Sequence, residues 1–225
     1  MILFVDGDIV AYRSASACET PIHWGDGLWT LHAREDAVMH HMDVFMQDLQ
    51  KQSGLKDVWT AISSKNNFRK EVSSSYKANR KNIRKPMLLN FAKDYLFQHW
   101  GGKMKDKLEA DDVLGLYGTA DMDIVIWSPD KDLLTVPSKH FINGEIVTIT
   151  QEEADKNFYI QALAGDMTDG YSGCPKVGKK TAEKILAEPP YWEKVVTAYE
   201  KAGLSEEVAL ENARLARILR QGEYI

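Results

Sequence analysis

Four acidic clusters, far apart in the sequence, contain the residue types that could bind divalent cations. One of them directly follows the short apolar run 2–5, and another begins three residues after the run 124–127. In chain order the clusters are Asp6 with Asp8, Glu109 with Asp111 and Asp112, Asp130 with Asp132, and Asp166 with Asp169. Each cluster alone is compatible with a turn or a helix cap. Together, these oxygen ligands predict a shared Mg²⁺ or Mn²⁺ site rather than a zinc site.

Residues 65–85 carry the opposite charge. The segment contains a single acid, Glu71, and two aromatic residues, Phe68 and Tyr76, among eight cations. The cations are Lys65, Arg69, Lys70, Lys77, Arg80, Lys81, Arg84 and Lys85. A basic run is often only a solvated surface. In an acidic chain, a basic run with interleaved aromatic rings instead indicates contact with nucleic-acid phosphates and stacking on a base.

A glycine-flanked turn precedes a lysine-rich helix start between Ser172 and Ala182. Exposed amides and lysines at such a turn bind phosphates without reading the base sequence. The candidate DNA-binding positions are Gly173, Lys176, Gly178, Lys179, Lys180 and Thr181. The turn is not a Walker A loop, because Lys179 is followed by Lys180 instead of serine or threonine.

The overall charge is compatible with a polyanion-binding protein once the clustered acids are set aside. The 225-residue chain has 28 lysines and arginines against 33 acids, a net charge of -5. Nine acids belong to the clusters, and 33 less nine leaves 24 acids against the 28 cations. Cations bound to the clusters would therefore leave a surface that attracts DNA.

Composition favours a soluble globular protein over a disordered, membrane or disulfide-rich one, with 44% hydrophobic and 27% charged residues. No apolar run approaches the roughly 20 residues that cross a bilayer, and the first residues lack a signal peptide's basic segment, so we expect a cytoplasmic location and no membrane partner. Cys18 and Cys174 lie far apart without a CxxC spacing, which favours free thiols.

Strand and helix patterns alternate in the first part of the chain. The apolar runs at 2–5, 58–62 and 124–127 predict buried strands, and the spacing of Val38, Met42, Phe45 and Leu49 predicts a helix between the first two. Such alternation predicts an α/β fold with a central, mainly parallel sheet flanked by helices.

The pattern changes near residue 150. Asn143-Gly144 predicts a hairpin within residues 141–149. Thr150 and Glu153 form a capping box, Ser205 is another candidate N-cap, and the remaining sequence is helical in pattern. We therefore predict an α/β part at residues 1–150 and a helical part at residues 151–225.

These motifs, in this order, resemble the flap endonuclease and 5′-3′ exonuclease superfamily from residue 1 to about residue 220. The matching motifs are Asp6, Tyr76-Lys77-Ala-Asn79-Arg80, Glu109-Ala-Asp-Asp112, Asp130-Lys-Asp132, Gly165-Asp-Met-Thr-Asp169 and the turn from Gly173 to Ala182. Phe68-Arg-Lys-Glu71 and Ala216-Arg-Ile-Leu-Arg220 are similar to segments of the exonucleases of short-tailed bacteriophages.

The resemblance implies a PIN-like 5′-nuclease fold, with a helical arch near residues 65–85 and a helix-three-turn-helix near residues 166–187. It also implies two Mg²⁺ or Mn²⁺ ions held by Asp6, Glu109, Asp111, Asp112, Asp130, Asp132, Asp166 and Asp169. Lys77 and Arg80 would be catalytic cations near the scissile phosphate, Tyr76 and Lys81 would contact DNA, and the glycine-flanked turn would hold K⁺. Asp8 matches only the phage branch.

The implied activity is two-metal-ion hydrolysis of duplex DNA from a 5′ end, releasing 5′-nucleotides. A monomer would act in phage DNA metabolism in the host cytoplasm, with RNA in RNA-DNA hybrids as a further substrate. Three alternatives stay open. One is a structure-specific flap endonuclease. A PIN-type ribonuclease shares the carboxylates but would lack the turn from Gly173 to Ala182. The third is a DNA-binding family member with weak or no turnover, because Ser64 stands where the family has a metal-binding aspartate.

Overall fold

The computed structural model describes residues 1–224. Its strands are β1 (Ile2–Asp6), β2 (Thr20–His23), β3 (Trp29–His32), β4 (Asp57–Ala61), β5 (Ile124–Trp127), β6 (Lys139–Ile142) and β7 (Glu145–Thr148). Its α-helices are α1 (Gly7–Ala17), α2 (Glu35–Ser53), α3 (Arg69–Val72), α4 (Leu89–His99), α5 (Ala110–Gly118), α6 (Gln151–Ala164), α7 (Lys179–Ile185), α8 (Tyr191–Lys201) and α9 (Glu206–Ala216). Two 3₁₀ turns lie at Ala78–Arg80 and Lys131–Thr135.

Five strands form the central sheet, in the order β4-β1-β5-β6-β7. The first four are parallel and β7 is antiparallel to β6, which confirms the prediction of a mainly parallel sheet flanked by helices. The predicted hairpin is confirmed as well, since Asn143 and Gly144 have φ values of 53° and 88° at the β6–β7 turn. Because parallel strands share one direction, β1, β4 and β5 deliver the residues that follow them to one edge of the sheet.

The side chains of β1 alternate between two cores on opposite faces of the sheet. Leu3 and Val5 are fully buried against α1, α2 and α4, whereas Phe4 is fully buried against α5. Successive side chains of a strand point to opposite faces, which is why an unbroken apolar run serves a strand covered on both sides. Burial of each such side chain stabilises the fold by about 1.5–3 kcal/mol.

β1 passes directly into α1 at Gly7. A Cβ atom there would lie 2.5 Å from Ile62 Cδ1 and 2.8 Å from the Ala61 carbonyl oxygen, so only glycine fits between this junction and the end of β4. Asp6 caps the helix, because its Oδ1 accepts a hydrogen bond from the Ile9 amide at 3.2 Å. The sharp junction places Asp6 and Asp8 at the same edge of the sheet.

Residues after 150 build a separate apolar core from four helices, α6 to α9. Tyr199 lies at its centre, fully buried, and its hydroxyl donates to the Ala162 carbonyl at 2.9 Å. The predicted capping box of Thr150 and Glu153 is confirmed at the start of α6. None of the helices in residues 1–224 is both long and apolar enough to cross a membrane.

After α9 the chain returns to the sheet. Ile218 and Leu219 pack beside α5, and a Cβ atom at Gly115 would lie 2.3 Å from the Leu219 carbonyl oxygen. The helical part is therefore packed against the α/β part through its own C-terminal segment. The domain boundary near residue 150 stays a prediction.

The basic segment at residues 65–85 is less helical than the predicted arch. Its helical residues are those of α3 and of the single turn Ala78–Arg80. Ser73, Ser74 and Ser75 interrupt it, and serine side chains that bond to nearby backbone favour turns over helix interiors.

A buried ion pair joins three distant parts of the chain. Arg69 of α3 is 2% exposed, and its two terminal nitrogens each donate to Asp112 of α5 at 2.7 Å. The same guanidinium donates to the carbonyl oxygens of Leu215, at 3.0 Å, and Arg217. Asp112 also accepts a hydrogen bond from the Leu219 amide at 3.2 Å. The pair therefore fixes the basic segment and the C-terminal segment to α5.

Arg69→Met is expected to lower the free energy of unfolding by about 3–5 kcal/mol, because Asp112 would keep a buried charge without its partner. Urea denaturation of the variant and the wild type measures the difference. The matched control is Arg34→Ala, which breaks the exposed Arg34–Asp36 pair and should leave stability unchanged. A decrease no larger than that of the control would contradict the structural role of Arg69.

Candidate active site

All four acidic clusters contribute to one cavity of about 430 Å³ at the edge where β1, β4 and β5 end. Its lining contains eight carboxylates and three cations. The carboxylates are Asp6, Asp8, Glu109, Asp111, Asp130, Asp132, Asp166 and Asp169, and the cations are Lys77, Arg80 and Lys131. Seven of the eight predicted metal ligands thus share one cavity. The exception is Asp112.

Asp6 lies deepest in the cavity, 2% exposed at the end of β1. Its Oδ2 accepts a hydrogen bond from the Ser128 hydroxyl at 2.9 Å. Burial and the neighbouring Asp8 charge raise the pKa of Asp6 to about 7. Its negative charge is therefore poorly stabilised by the protein alone.

Asp130 and Asp132 follow β5. Asp130 caps the 3₁₀ turn, since its Oδ1 accepts a hydrogen bond from the Asp132 amide at 2.9 Å. Burial, together with the charge of Asp130, raises the pKa of Asp132 to about 6. The two carboxylates are therefore close enough to repel each other.

Glu109 and Asp111 stand at the start of α5. Glu109 accepts hydrogen bonds from Lys77 Nζ at 2.6 Å and from the Tyr76 hydroxyl at 2.7 Å. Burial alone would raise the pKa of Glu109, but Lys77 and Arg69 outweigh it and lower the pKa. The pKa of Asp111 is raised by burial and by the charge of Asp6. Adjacent carboxylates thus have opposite electrostatic environments.

Asp166 and Asp169 lie in the turn after α6. Asp166 Oδ1 accepts a hydrogen bond from the Thr168 amide at 2.7 Å, which shapes the turn. Asp169 forms ion pairs with Arg80 at 2.6 Å and with Lys77 at 3.6 Å. Lys77 therefore lies between Glu109 of α5 and Asp169 of this turn.

The basic segment is attached to the same turn through its backbone. The Lys77 amide donates to the Asp169 carbonyl at 2.8 Å, and the Ser75 hydroxyl donates to the Gly170 carbonyl at 3.0 Å. Gly170 has φ of 83°, and a Cβ atom there would lie 2.5 Å from the Ser75 carbonyl oxygen. These contacts hold Lys77 and Arg80 over the cavity.

Two predicted site residues have structural roles instead. Asp112 is fully buried, and its oxygens bind Arg69 and backbone amides, so it does not line the cavity with the other predicted ligands. Tyr76 is 4% exposed, and its hydroxyl donates to Glu109 and, at 3.2 Å, to Asp169. A ring so buried cannot stack on a DNA base, so Tyr76 instead orients two of the cavity carboxylates.

The glycine-flanked turn also contains both a buried candidate and solvent-accessible ones. Gly173 is buried, and its amide donates to Asn212 Oδ1 at 2.9 Å, so it does not offer this amide to DNA as predicted. The remaining candidates, Lys176, Gly178, Lys179, Lys180 and Thr181, keep solvent access, as does Lys81 of the basic segment. Six positions therefore remain available for phosphate contacts.

Ser63 and Lys131 are among the residues of the cavity wall that the sequence analysis did not predict. Ser63 lines the cavity, whereas the Ser64 hydroxyl donates to Asp106 Oδ1 at 3.4 Å. Lys131 also lines the cavity. Its position between Asp130 and Asp132 was the only signal that pointed to it. Ser63 gave no comparable signal, because the sequence does not show whether Ser63 or Ser64 faces the cavity after β4.

The donor set fits hard divalent cations, because its members are all carboxylates and three have a raised pKa. A bound cation would stabilise these charges where the protein does not. Within residues 1–224, no three carboxylate, histidine or cysteine side chains are already gathered into a ready-made ion-binding group.

Comparison with known proteins relates the chain to phage exonucleases. The model of the 5′-3′ exonuclease N-terminal, resolvase-like domain matches residues 1–163. The exonuclease of Escherichia phage T7 is 30% identical over 269 aligned positions, which cover 99% of this chain and 89% of the relative. The exodeoxyribonuclease of Enterobacteria phage T3 has the same identity and coverage.

A DNA polymerase I of Streptococcus pneumoniae is 27% identical over 83% of this chain, but the match spans only 24% of that protein. Among solved structures, the T5 5′-exonuclease with bound zinc ions superposes with a TM-score of 0.69, at 17% identity and over 96% of this chain and 88% of that one. This likeness shows a shared fold. The matched domain and the identity to the phage enzymes show that the chain belongs to the flap endonuclease and 5′-3′ exonuclease family.

Proposed function

We propose that the protein is a 5′-3′ exonuclease that hydrolyses the phosphodiester bonds of duplex DNA and releases 5′-nucleotides, with Mg²⁺ or Mn²⁺ held by the cavity carboxylates. The observation that carries this proposal is the cavity in which Lys77 and Arg80 face eight carboxylates. The family supports the reaction class, since the relatives of phages T7 and T3 are an exonuclease and an exodeoxyribonuclease. The T5 relative was crystallised with metal ions.

Seven carboxylates are proposed to hold two divalent ions, namely Asp6, Glu109, Asp111, Asp130, Asp132, Asp166 and Asp169. Ions bound there would polarise the phosphate and activate water for attack. Asp130 is proposed as a central member of this set: burial is the largest cause of the raised pKa of Asp6, Asp111 and Asp132, and the charge of Asp130 adds to all three shifts. Asp130 is also exposed, so a substrate can approach the cavity from the side that follows β5.

Lys77 and Arg80 are proposed to neutralise charge that develops on the scissile phosphate. Preorganised donors lower the barrier because they need no reorientation as charge develops. Lys77 is held by Glu109 and Asp169, whose charges raise the pKa of its ammonium although burial lowers it. The ammonium therefore stays charged at neutral pH, and Arg80 is fixed beside it by Asp169.

The accessible lysines of the turn before α7 are proposed to grip the DNA backbone away from the cavity. Lys176, Lys179 and Lys180, together with Lys81, offer positive charge without a fixed base-reading geometry. In this proposal α6, the turn at 165–178 and α7 act as a helix-three-turn-helix. The K⁺ ion implied by the family resemblance stays a prediction, as do the use of RNA-DNA hybrids and the monomeric state.

Two alternative functions differ from this proposal, one in its preferred substrate and the other in its turnover. A flap endonuclease would cut a branched duplex faster than a blunt one. A DNA-binding protein with little turnover is the other, because the wall after β4 has Ser63 and Ser64 and no carboxylate of its own. Measuring Mg²⁺-dependent cleavage of blunt and flapped duplexes by the wild type distinguishes these alternatives.

Asp130→Ala is expected to reduce nucleotide release from a 5′-labelled duplex by at least about 10²-fold, because a central ligand is removed. DNA affinity, measured by fluorescence anisotropy, should be retained. The control is Asp121→Ala, in the exposed turn before β5. Undiminished cleavage by Asp130→Ala would place the chemistry elsewhere, and DNA binding without cleavage by the wild type would favour the binding-protein alternative.

Lys77→Ala and Arg80→Ala should each lower kcat about 10²-fold with a smaller change in KM, because both residues act on charge that appears in the transition state. Steady-state kinetics with labelled duplex at saturating Mg²⁺ measures both constants. Lys65→Ala, an exposed cation of the same segment, is the control. A change confined to KM would reassign the two residues to ground-state DNA binding.

The double variant Lys179→Ala/Lys180→Ala should weaken DNA binding and reduce the slope of log affinity against log salt by about 0.9 for each phosphate that the protein no longer neutralises. Anisotropy titrations at several salt concentrations measure the slope, and kcat at saturating DNA should be unchanged. Lys51→Ala, an exposed lysine near the end of α2, controls for net charge. If the slope for the double variant equals that for the control, this turn does not make the proposed phosphate contacts.

A further inference from the structure

The wall of the cavity that follows β4 contributes no carboxylate of its own. Between Ala61 and Phe68 the sequence has no acidic residue. β1 and β5 instead end at Asp6 and just before Asp130. The end of β4 would therefore offer no carboxylate to a bound cation, if no other segment reached it.

Asp8 reaches this wall from the first turn of α1. Its Oδ1 accepts a hydrogen bond from the Ser63 amide at 3.2 Å, and its Oδ2 accepts one from Lys93 Nζ at 2.8 Å. The side chain lines the cavity and is 25% exposed. Asp8 is thus held beside the residues that follow β4.

A carboxylate held in this way can still bind a cation. Each of its oxygens has two lone-pair directions, and the bonds to Ser63 and Lys93 use one on each oxygen. The ammonium of Lys93 also offsets the charge of Asp8, which lies close enough to Asp6 to raise the pKa of that group. Lys93 belongs to α4, which packs on the same face of the sheet as α1, so the arrangement is part of the fold.

We propose that Asp8 is a further ligand of the divalent-cation site and supplies, from α1, the carboxylate that the β4 wall lacks. The inference rests on the proposed function, because it assigns one more residue to the same site. It would account for cation binding by a cavity that has serines after β4. It also predicts that a carboxylate placed at position 63 can replace that of Asp8.

The test is Mn²⁺ binding by the DNA-free protein, followed by the electron paramagnetic resonance signal of free Mn²⁺. Asp8→Asn is expected to weaken Mn²⁺ binding about tenfold, the lower end of the effect of altering a metal site. Ser63→Asp in the Asp8→Asn background should restore most of the affinity. The matched control is Asp123→Asn, whose partner Lys139 also lies at 2.8 Å but before β5, at the opposite edge of the sheet.

The outcomes separate this inference from the proposed function. Mn²⁺ binding by Asp8→Asn equal to that of the wild type would overturn it, as would an equal decrease in Asp123→Asn, which would indicate a general charge effect. If Asp8→Asn does not fold, as judged by circular dichroism, Ser63→Asp alone decides: tighter Mn²⁺ binding supports the inference, and unchanged binding overturns it. If the wild type binds Mn²⁺ but does not cleave DNA, the proposed nuclease function is refuted. The role of Asp8 is then still decided by the Mn²⁺ binding of the variants.

Discussion

Repulsion among eight carboxylates around one cavity is the constraint that the surrounding structure must accommodate. The protein meets it only in part. The pKa of Asp6 is raised to about 7 and that of Asp132 to about 6, in both cases first by burial and then by a neighbouring aspartate. Glu109 and Asp169 are instead paired with Lys77 and Arg80. The cavity therefore has a neutralised side and a side whose negative charge remains uncompensated.

The cations that neutralise one side come from a segment that the fold must hold in place. Lys77 and Arg80 lie on an irregular stretch with little helical structure of its own. Its backbone bonds to the turn after α6, and Arg69 fixes its beginning to Asp112 and to the chain after α9. The position of the two cations thus depends on contacts between residues more than 40 positions apart in sequence. Stability and site geometry are coupled through these contacts.

The sequence predicted the features that local pattern controls. The strands β1 and β5, the Asn143-Gly144 turn and the Thr150 capping box follow from apolar runs and turn chemistry, and the structure confirms them. The hairpin of β2 and β3 was not predicted, because almost all of its residues are exposed and no buried face imposes an alternating pattern. The helical arch, which the family resemblance implied and no helical periodicity in residues 65–85 supported, contains less helix than expected. The sequence predicted one site for eight ligands; seven of them line one cavity, and the exclusion of Asp112 was not predicted.

The exclusion of Asp112 follows from helix geometry. Successive residues of an α-helix point about 100° apart, so Asp111 and Asp112 at the start of α5 cannot both face the cavity. Asp111 lines it, and Asp112 points beneath it to Arg69. An acidic triplet at a helix start is therefore expected to divide between site and scaffold, and sequence alone does not identify the member that finds a buried arginine.

The division also determines the charge that a substrate meets. When all eight carboxylates are ionised, they exceed the three lining cations by five negative charges, so a phosphate can approach Lys77 closely only after cations have offset much of that excess.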